Sequence, residues 1–526
     1  MSGQIYPLSK KGRGVSRIPA ADDKGRNFSH RNLFPGCSAK RLVYYSQLTI
    51  APHQSFVIFD SEIRERDVTA SFKTKSDSKT IPVTPVEAEV FDAWLAGETA
   101  EVKNWVKSSG FKARPGQISL VSGSNGSLVR VLLGVQNYEG MWDYAVLPAN
   151  LPGGSYKLDV RMAPAAATAV AIGWALGGYS FDAYKSIKSK KPPVLVWPAR
   201  ADKARVKAMV DAIFLVRDLI NTPAEDMGPS QIAAESRKLG KRFKADVNVI
   251  VGDALLKKNF PTIHAVGRAS DDPPRLIDLK WGPKNAPKVS IVGKGVCFDT
   301  GGLDLKPAAG MLRMKKDMGG GAHALGLASL IMALKIPIRL RMLVPAVENN
   351  VAGNSIRPLD VIKTRKGITV EIGNTDAEGR LVMCDALAVA DAENPDMIID
   401  FATLTGAARV AVGSELAAMF CNDDSLATDL ENAAKNVDDP MWRLPLWRPY
   451  RRMLDSKVAD INNVSEGGFG GAITAALYLQ EFVSKDTPWA HFDIMAWNTS
   501  PRPGRPVGGD AQSLRAVFEM IEKRYR

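Results

Sequence analysis

Four short apolar runs, at residues 289–292, 340–344, 397–401 and 492–496, alternate in the C-terminal half of the chain with segments of helical apolar spacing at 323–334 and 382–392. A strand buried on both faces reads as an unbroken apolar run, whereas a strand with one wet face alternates. The four runs, each interrupted by a single polar residue, Ser290, Arg341, Asp400 or Asp493, come near the first kind, and interleaved with helices they describe a largely buried sheet covered by helices. The fold expected is α/β: a small N-terminal α/β domain, then a larger α/β domain whose central mixed, mostly parallel sheet is flanked by helices.

At 526 residues and 45% apolar composition, the chain exceeds one ordinary domain and can bury two cores. Residues 117–121 and 128–135 flank the turn-forming Ser122-Gly123-Ser124-Asn125-Gly126 and predict a hairpin. Helical spacing at 86–108 and 163–176 places helices around it, and the basic run 185–193, ending in Pro192-Pro193, reads as a linker. A long helix marked by Val206, Val210, Ile213, Phe214 and Ile220 should stop at Asn221-Thr222-Pro223, because a residue before proline is driven from helical geometry. The expected organisation is a basic irregular extension at 1–41, an N-terminal α/β domain at 42–184, a linker at 185–200 and a second domain at 201–526.

No apolar run approaches the 18 or so residues that span a bilayer; the longest, 165–178, is rich in Ala and Gly, so no membrane partner is expected. Cys37, Cys297, Cys384 and Cys421 are scattered without CxxC spacing, which suits a reducing, cytoplasmic compartment. The extension holds Lys10, Lys11, Arg13, Arg17, Arg26, Arg31, Lys40 and Arg41 against Asp22 and Asp23 only. Such a composition could serve as a mitochondrial transit segment, although it lacks a clear amphipathic helix. The net charge of +13 invites a nucleic-acid partner through counterion release, but the excess is dispersed, and a solvated basic surface or a flexible tail and linker is the better reading.

The chemistry concentrates between residues 294 and 380. The strand at 289–292 runs into GKGVCFDTGG, setting Lys294 and Asp299 at a strand's carboxyl end, where ligand sites of open α/β sheets lie. The spacing is not that of a phosphate-cradling Walker loop. Lys306 follows, then Asp317 just before Gly319-Gly320-Gly321; read singly, these would be a surface lysine and a helix cap. The segment NTDAEGRL at 374–381 reads as extended, which would point Asp376, Glu378 and Arg380 the same way. Read singly, it would be a surface ion-pair ladder. Asp299, Asp317, Asp376 and Glu378 gathered without cations would repel strongly. Two divalent ions, Zn or Mn with Co or Mg as alternatives, resolve that conflict, and a neighbouring lysine can itself bind one. The five histidines, His30, His53, His264, His323 and His491, form no HExxH-like pair, so a metal must lean on carboxylates.

The octapeptide NTDAEGRL resembles, unchanged, the signature of the leucyl (cytosol) aminopeptidases of family M17, and GKGVCFDTGG resembles that family's other block. NTPAEDMGP from Asn221, DMGGGAHA from Asp317, ATLTGA from Ala402 and ADINNVSEGG from Ala459 extend the likeness. The resemblance implies a catalytic domain at 201–526 that releases N-terminal residues, Leu- or Met-like ones preferred, from short peptides. It implies that Lys294, Asp299, Asp317 and Glu378 hold a tighter metal, while Asp299, Asp376 and Glu378 hold a more exchangeable one. A hydroxide activated by both ions would attack the scissile carbonyl, Lys306 would stabilise the oxyanion, and Arg380 would hold a bicarbonate as general base. Met314, Thr403, Leu404 and Gly406 match the first-residue pocket, with the strand end near Met495 and Ala496. A homohexamer is implied as well, and a DNA-binding or structural role remains the alternative.

Three places depart from the family pattern: Thr300 for a serine, Gly321 and His323 after DMGG, and DIMAWN at the late strand end in place of DIAG. His323 reads as a packing or capping residue rather than a ligand. Met495 is bulkier than the expected alanine and narrows the pocket.

Overall fold

The computed structural model describes residues 68–186 and 191–526. The basic extension at 1–41, the first part of the segment 42–184 and residues 187–190 of the linker lie outside the described residues.

The first sheet has six strands in the order Phe72–Lys73, Val194–Val196, Ser155–Leu158, Ile81–Glu87, Leu128–Val135 and Ile118–Ser122. Its pairs are parallel except the last, the hairpin expected around Ser122–Gly126, in which Gly123 N–H donates to Ser127 O at 2.8 Å. The stretch 86–108, expected to be helical throughout, is divided. Val86 belongs to the Ile81–Glu87 strand, and two helices follow, Phe91–Ala96 and Ala100–Ser109. Thr99 explains the break: its hydroxyl accepts from Val102 N–H and so starts a new helix. Strand Val194–Val196, inside the segment read as linker, completes the sheet.

Helix Lys203–Asn221 joins the two sheets' cores, packing against Pro164–Gly177 on one side and Gly319–Ala333 on the other. It begins at an Asp202 cap and ends at Thr222, before Pro223, as its sequence predicts. One apolar cluster runs from Val83, Tyr156 and Trp174 through Val210 and Val216 to Ile291 and Phe401.

The second sheet is mixed and mostly parallel. Its strands run in the order Met441–Arg443, Ala417–Cys421, Trp489–Asp493, Met397–Ala402, Lys288–Gly293, Arg339–Asn349, Arg275–Trp281 and Asp246–Val251; Gly295–Asp299 pairs with the far end of Arg339–Asn349. Helix Gly319–Ala333 is buried from Gly319 to Met332 and lies directly on the sheet. A Cβ at Gly320 would stand 2.1 Å from Phe401 O, so only glycine permits the approach. The helix begins at Gly319, four residues earlier than its apolar spacing suggests. No described helix is long and apolar enough to cross a membrane.

Candidate metal centre

Parallel strands end together, so their carboxyl ends form one rim. Lys294 sits where strand Lys288–Gly293 stops, with its N–H on Phe401 O at 2.9 Å. Asp299 ends the next strand, Gly295–Asp299. Asp317 closes the short turn Met314–Met318 ahead of the buried helix, and Glu378 opens helix Glu378–Asp391. Lys294, Asp299, Asp317 and Glu378 are all buried.

The lysines and carboxylates interlock. Lys294 Nζ lies 2.7 Å from Asp317 Oδ2 and 2.8 Å from Glu378 Oε1, and donates to Thr403 O at 3.1 Å. Lys306 Nζ lies 2.8 Å from Asp299 Oδ2 and also contacts Asp376 Oδ1. Oxygen atoms of Asp299, Asp376 and Glu378 come within 4.8 Å of one another. Asp317 joins them through the Lys294 ammonium and accepts the Thr403 hydroxyl at 2.8 Å.

Crowding shows in the electrostatics. Burial, then the neighbouring Asp299, pushes the Glu378 carboxyl up to about 8, and the same two causes push Asp376 up to about 6. Burial works against the Lys294 charge, but Asp317, Glu378 and Asp299 outweigh it and hold the ammonium above the usual lysine range. Two ammonium groups thus face four carboxylates. Asp317 Oδ2, Asp376 Oδ1 and Glu378 Oε1 are buried and lie within ion-pair reach of a lysine, yet none makes an aligned hydrogen bond. Oxygens left in that condition, converging from three elements, suit a divalent cation better than they suit one another.

The octapeptide 374–381 is not extended. It turns at Asn374, and Ala377 N–H returns to Asn374 O at 3.2 Å before the helix begins at Glu378. Asp376 and Glu378 still converge, but through a turn and a helix start rather than through strand alternation. Arg380, in the first helical turn, is buried behind them, where its Nη1 donates to Asn463 O at 2.5 Å. It does not line the cavity in front of the carboxylates.

That cavity, of about 360 Å³, is lined by Lys294, Asp299, Lys306, Asp317, Asp376 and Glu378 together with Met314, Thr403, Leu404, Gly406 and Met495. His323 is not part of it: its Nδ1 meets Gly319 O at 2.6 Å and its Nε2 accepts Gln512 N–H at 2.9 Å, which pins the helix inside the core.

Four residues not singled out from the sequence shape the site. Asn349, at the end of strand Arg339–Asn349, donates to Asp299 Oδ1 at 2.9 Å and to Thr375 O at 3.1 Å. Asn463 accepts Gly373 and Asn374 N–H and donates to Asn374 O and Ala377 O, clamping the turn that carries Asp376. Asp493 accepts Leu404 and Thr405 N–H and the Thr405 hydroxyl, fixing the loop after Thr403. Lys316 lines the cavity while itself almost wholly buried. A strand terminus flags Asn349 and Asp493; nothing local marks the other two.

An open α/β sheet with a lysine and carboxylate cluster on its rim has the hard oxygen donors that a metal-dependent hydrolase uses. Residues 214–517 match the catalytic domain of the cytosol aminopeptidase family, and residues 81–198 match the N-terminal domain of M17 aminopeptidases. The chain belongs to the cytosol aminopeptidase family, M17, and is an aminopeptidase of the metal-dependent kind. A probable cytosol aminopeptidase of Agrobacterium fabrum is 41% identical over 401 residues, 73% of this chain and 79% of that relative. One of Chlorobium limicola is 39% identical over 368 residues, covering 66% and 73%. The crystal structure of cytosol aminopeptidase from Coxiella burnetii superposes with a TM-score of 0.83 at 52% identity, over 87% of this chain and 100% of that one. The bottromycin maturation enzyme BotP in complex with Mn gives 0.78 at 32%, over 85% and 100%.

Proposed function

We propose that this aminopeptidase removes the first residue of short peptides at a dinuclear centre held by Lys294, Asp299, Asp317, Asp376 and Glu378. The observation that carries the proposal is the meeting of two lysines and four carboxylates, three of which, Asp317, Asp376 and Glu378, each bury an oxygen without an aligned hydrogen bond. Two divalent ions, Zn or Mn with Co or Mg as alternatives, would supply Lewis-acid polarisation of the scissile carbonyl and activation of water.

The chain's own groups do the rest. Asp299 and Glu378 would serve both ions, and Asp317, beside Lys294, would receive the substrate's free amine. Lys306 faces the cavity, and its ammonium, kept charged by Asp299 although burial opposes it, meets negative charge developing on the carbonyl oxygen. Arg380 is proposed to hold a bicarbonate as general base although it stands behind the carboxylates rather than in the wall of the cavity; its one hydrogen bond among the described residues, to Asn463 O, leaves other N–H donors for an anion. Met314, Val412, Leu416, Ile494 and Met495 give the pocket an apolar wall that accepts Leu- and Met-like first residues, with Thr403, Leu404 and Gly406 along its rim.

Residues 42–184 and 201–526 are proposed as the N-terminal and catalytic domains, and the assembly as a homohexamer. A cytoplasmic location fits the free, buried Cys297, Cys384 and Cys421. A transit role for the extension at 1–41 is the alternative. The test is hydrolysis of leucine amide after chelation and refilling with Mn, Zn or Co. Loss and rescue are expected; no activity with any metal would leave a structural or DNA-binding role.

A further inference from the structure

The cavity in front of the carboxylates contains a cation that no described residue meets with a hydrogen bond. Lys316 is 7% exposed, and its side chain lines the same cavity as Met314, Thr403 and Met495. Its ammonium makes no hydrogen bond among the described residues; its ion-pair contact is Asp317 Oδ1 at 3.9 Å, an oxygen already taken by the Thr403 hydroxyl at 2.8 Å. Asp493, the other acid on this wall, is spent on the backbone of Leu404 and Thr405 and on the Thr405 hydroxyl. Beyond Lys294 and Lys306, which the carboxylates pair, Arg313 and Arg409 also line this cavity and add positive charge.

A buried ammonium without an acceptor is costly, and the cost is recovered when a ligand brings a carboxylate. Met314, Val412, Leu416, Ile494 and Met495 line the same cavity, so the group that fits is a carboxylate carried on a short aliphatic stem. We infer that the first-residue pocket also accepts acidic side chains, glutamate above all, with Lys316 as the specificity-determining contact and Arg409 reinforcing it. The inference rests on the aminopeptidase reading of the site and names a substrate class for it. Leucine fills the wall of this pocket but leaves the ammonium unanswered; glutamate does both.

The experiment compares kcat/KM of the Mn-loaded full-length enzyme on the amides of Glu, Asp, Gln, Leu and Lys, which carry no terminal carboxylate. Glu amide is expected to be hydrolysed at least as well as Leu amide. In Lys316→Met the Glu-to-Leu ratio should fall roughly tenfold to hundredfold, the worth of one charged hydrogen bond. Lys316→Glu should raise the Lys-to-Leu ratio. A wild-type enzyme more than about tenfold slower on Glu than on Leu, the range a mismatched pocket produces, overturns the inference without any variant. So does a Glu-to-Leu ratio unmoved in Lys316→Met. If that variant instead slows Leu-Gly relative to Leu-Gly amide, the ammonium serves the peptide's own carboxyl end, and the inference is likewise wrong. Failure on every amide would overturn the aminopeptidase reading itself, a result distinct from a reversed ranking.

Discussion

Lys294 Nζ and Glu378 Oε1 stand 2.8 Å apart, and the contact exists because residue 379 has no side chain. A Cβ at Gly379 would come within 2.6 Å of Lys294 Cε and 2.7 Å of its Nζ. The glycine of the octapeptide therefore keeps room for the lysine that reaches the carboxylates. Gly379→Ala should displace that lysine, cost about 1 to 3 kcal/mol of stability by overpacking, and lower metal affinity. Thermal melts with and without Mn check it: the stabilisation by Mn should shrink.

Lys306 lines the cavity and pairs with Asp299 and Asp376. Replacing it by Met should lower kcat by roughly a hundredfold to a thousandfold, as loss of an oxyanion donor does, with a smaller change in KM. Steady-state kinetics at saturating Mn separate the two parameters.

Asn463 holds the turn before Glu378 through four hydrogen bonds and touches no substrate-facing surface of the cavity. Its removal should act through the ligands. Asn463→Ala is expected to weaken metal binding roughly tenfold to hundredfold, as loss of a supporting partner does elsewhere. Activity should return as Mn is raised, which a Mn titration of activity would reveal.

Burial lowers the His323 imidazole to about 4 from 6.5, and its Nε2 must stay unprotonated to accept Gln512 N–H. In the unfolded chain the same ring takes its proton near 6.5, so between these values the unfolded state binds more protons. Stability from this group is complete above about pH 6.5, declines as pH falls toward 4, and then levels off, a loss of roughly 3 kcal/mol. Denaturant unfolding of the metal-free protein between pH 7 and 4, compared with His323→Gln, should show a shallower slope in the variant.

Much of this was legible because it is local. Apolar runs at 289–292, 340–344 and 397–401 became strands of the second sheet, since buried parallel strands need no polar face. The carboxylates and lysines were visible because they follow those runs at strand ends. The path of 374–381 was not legible: Glu378 and Arg380 looked alternate along a strand, yet the helix begins at Glu378 and sends Arg380 backward to Asn463. Asn463 lies far along the chain, and no local pattern announces such a clamp. Lys316 was hidden for another reason: in MLRMKKDM it is one basic residue among several, and only packing buries it against the cavity while Arg313 stays exposed.

The central claim is that the rim between Lys294 and Glu378 is a site for two divalent ions. Metal content after equilibration with Mn and removal of free ion tests it most directly. The account predicts two Mn per chain in the native enzyme and at most one in Asp376→Asn and in Glu378→Gln, each still folded by circular dichroism. Full metal content and full leucine amide hydrolysis in both variants would contradict it.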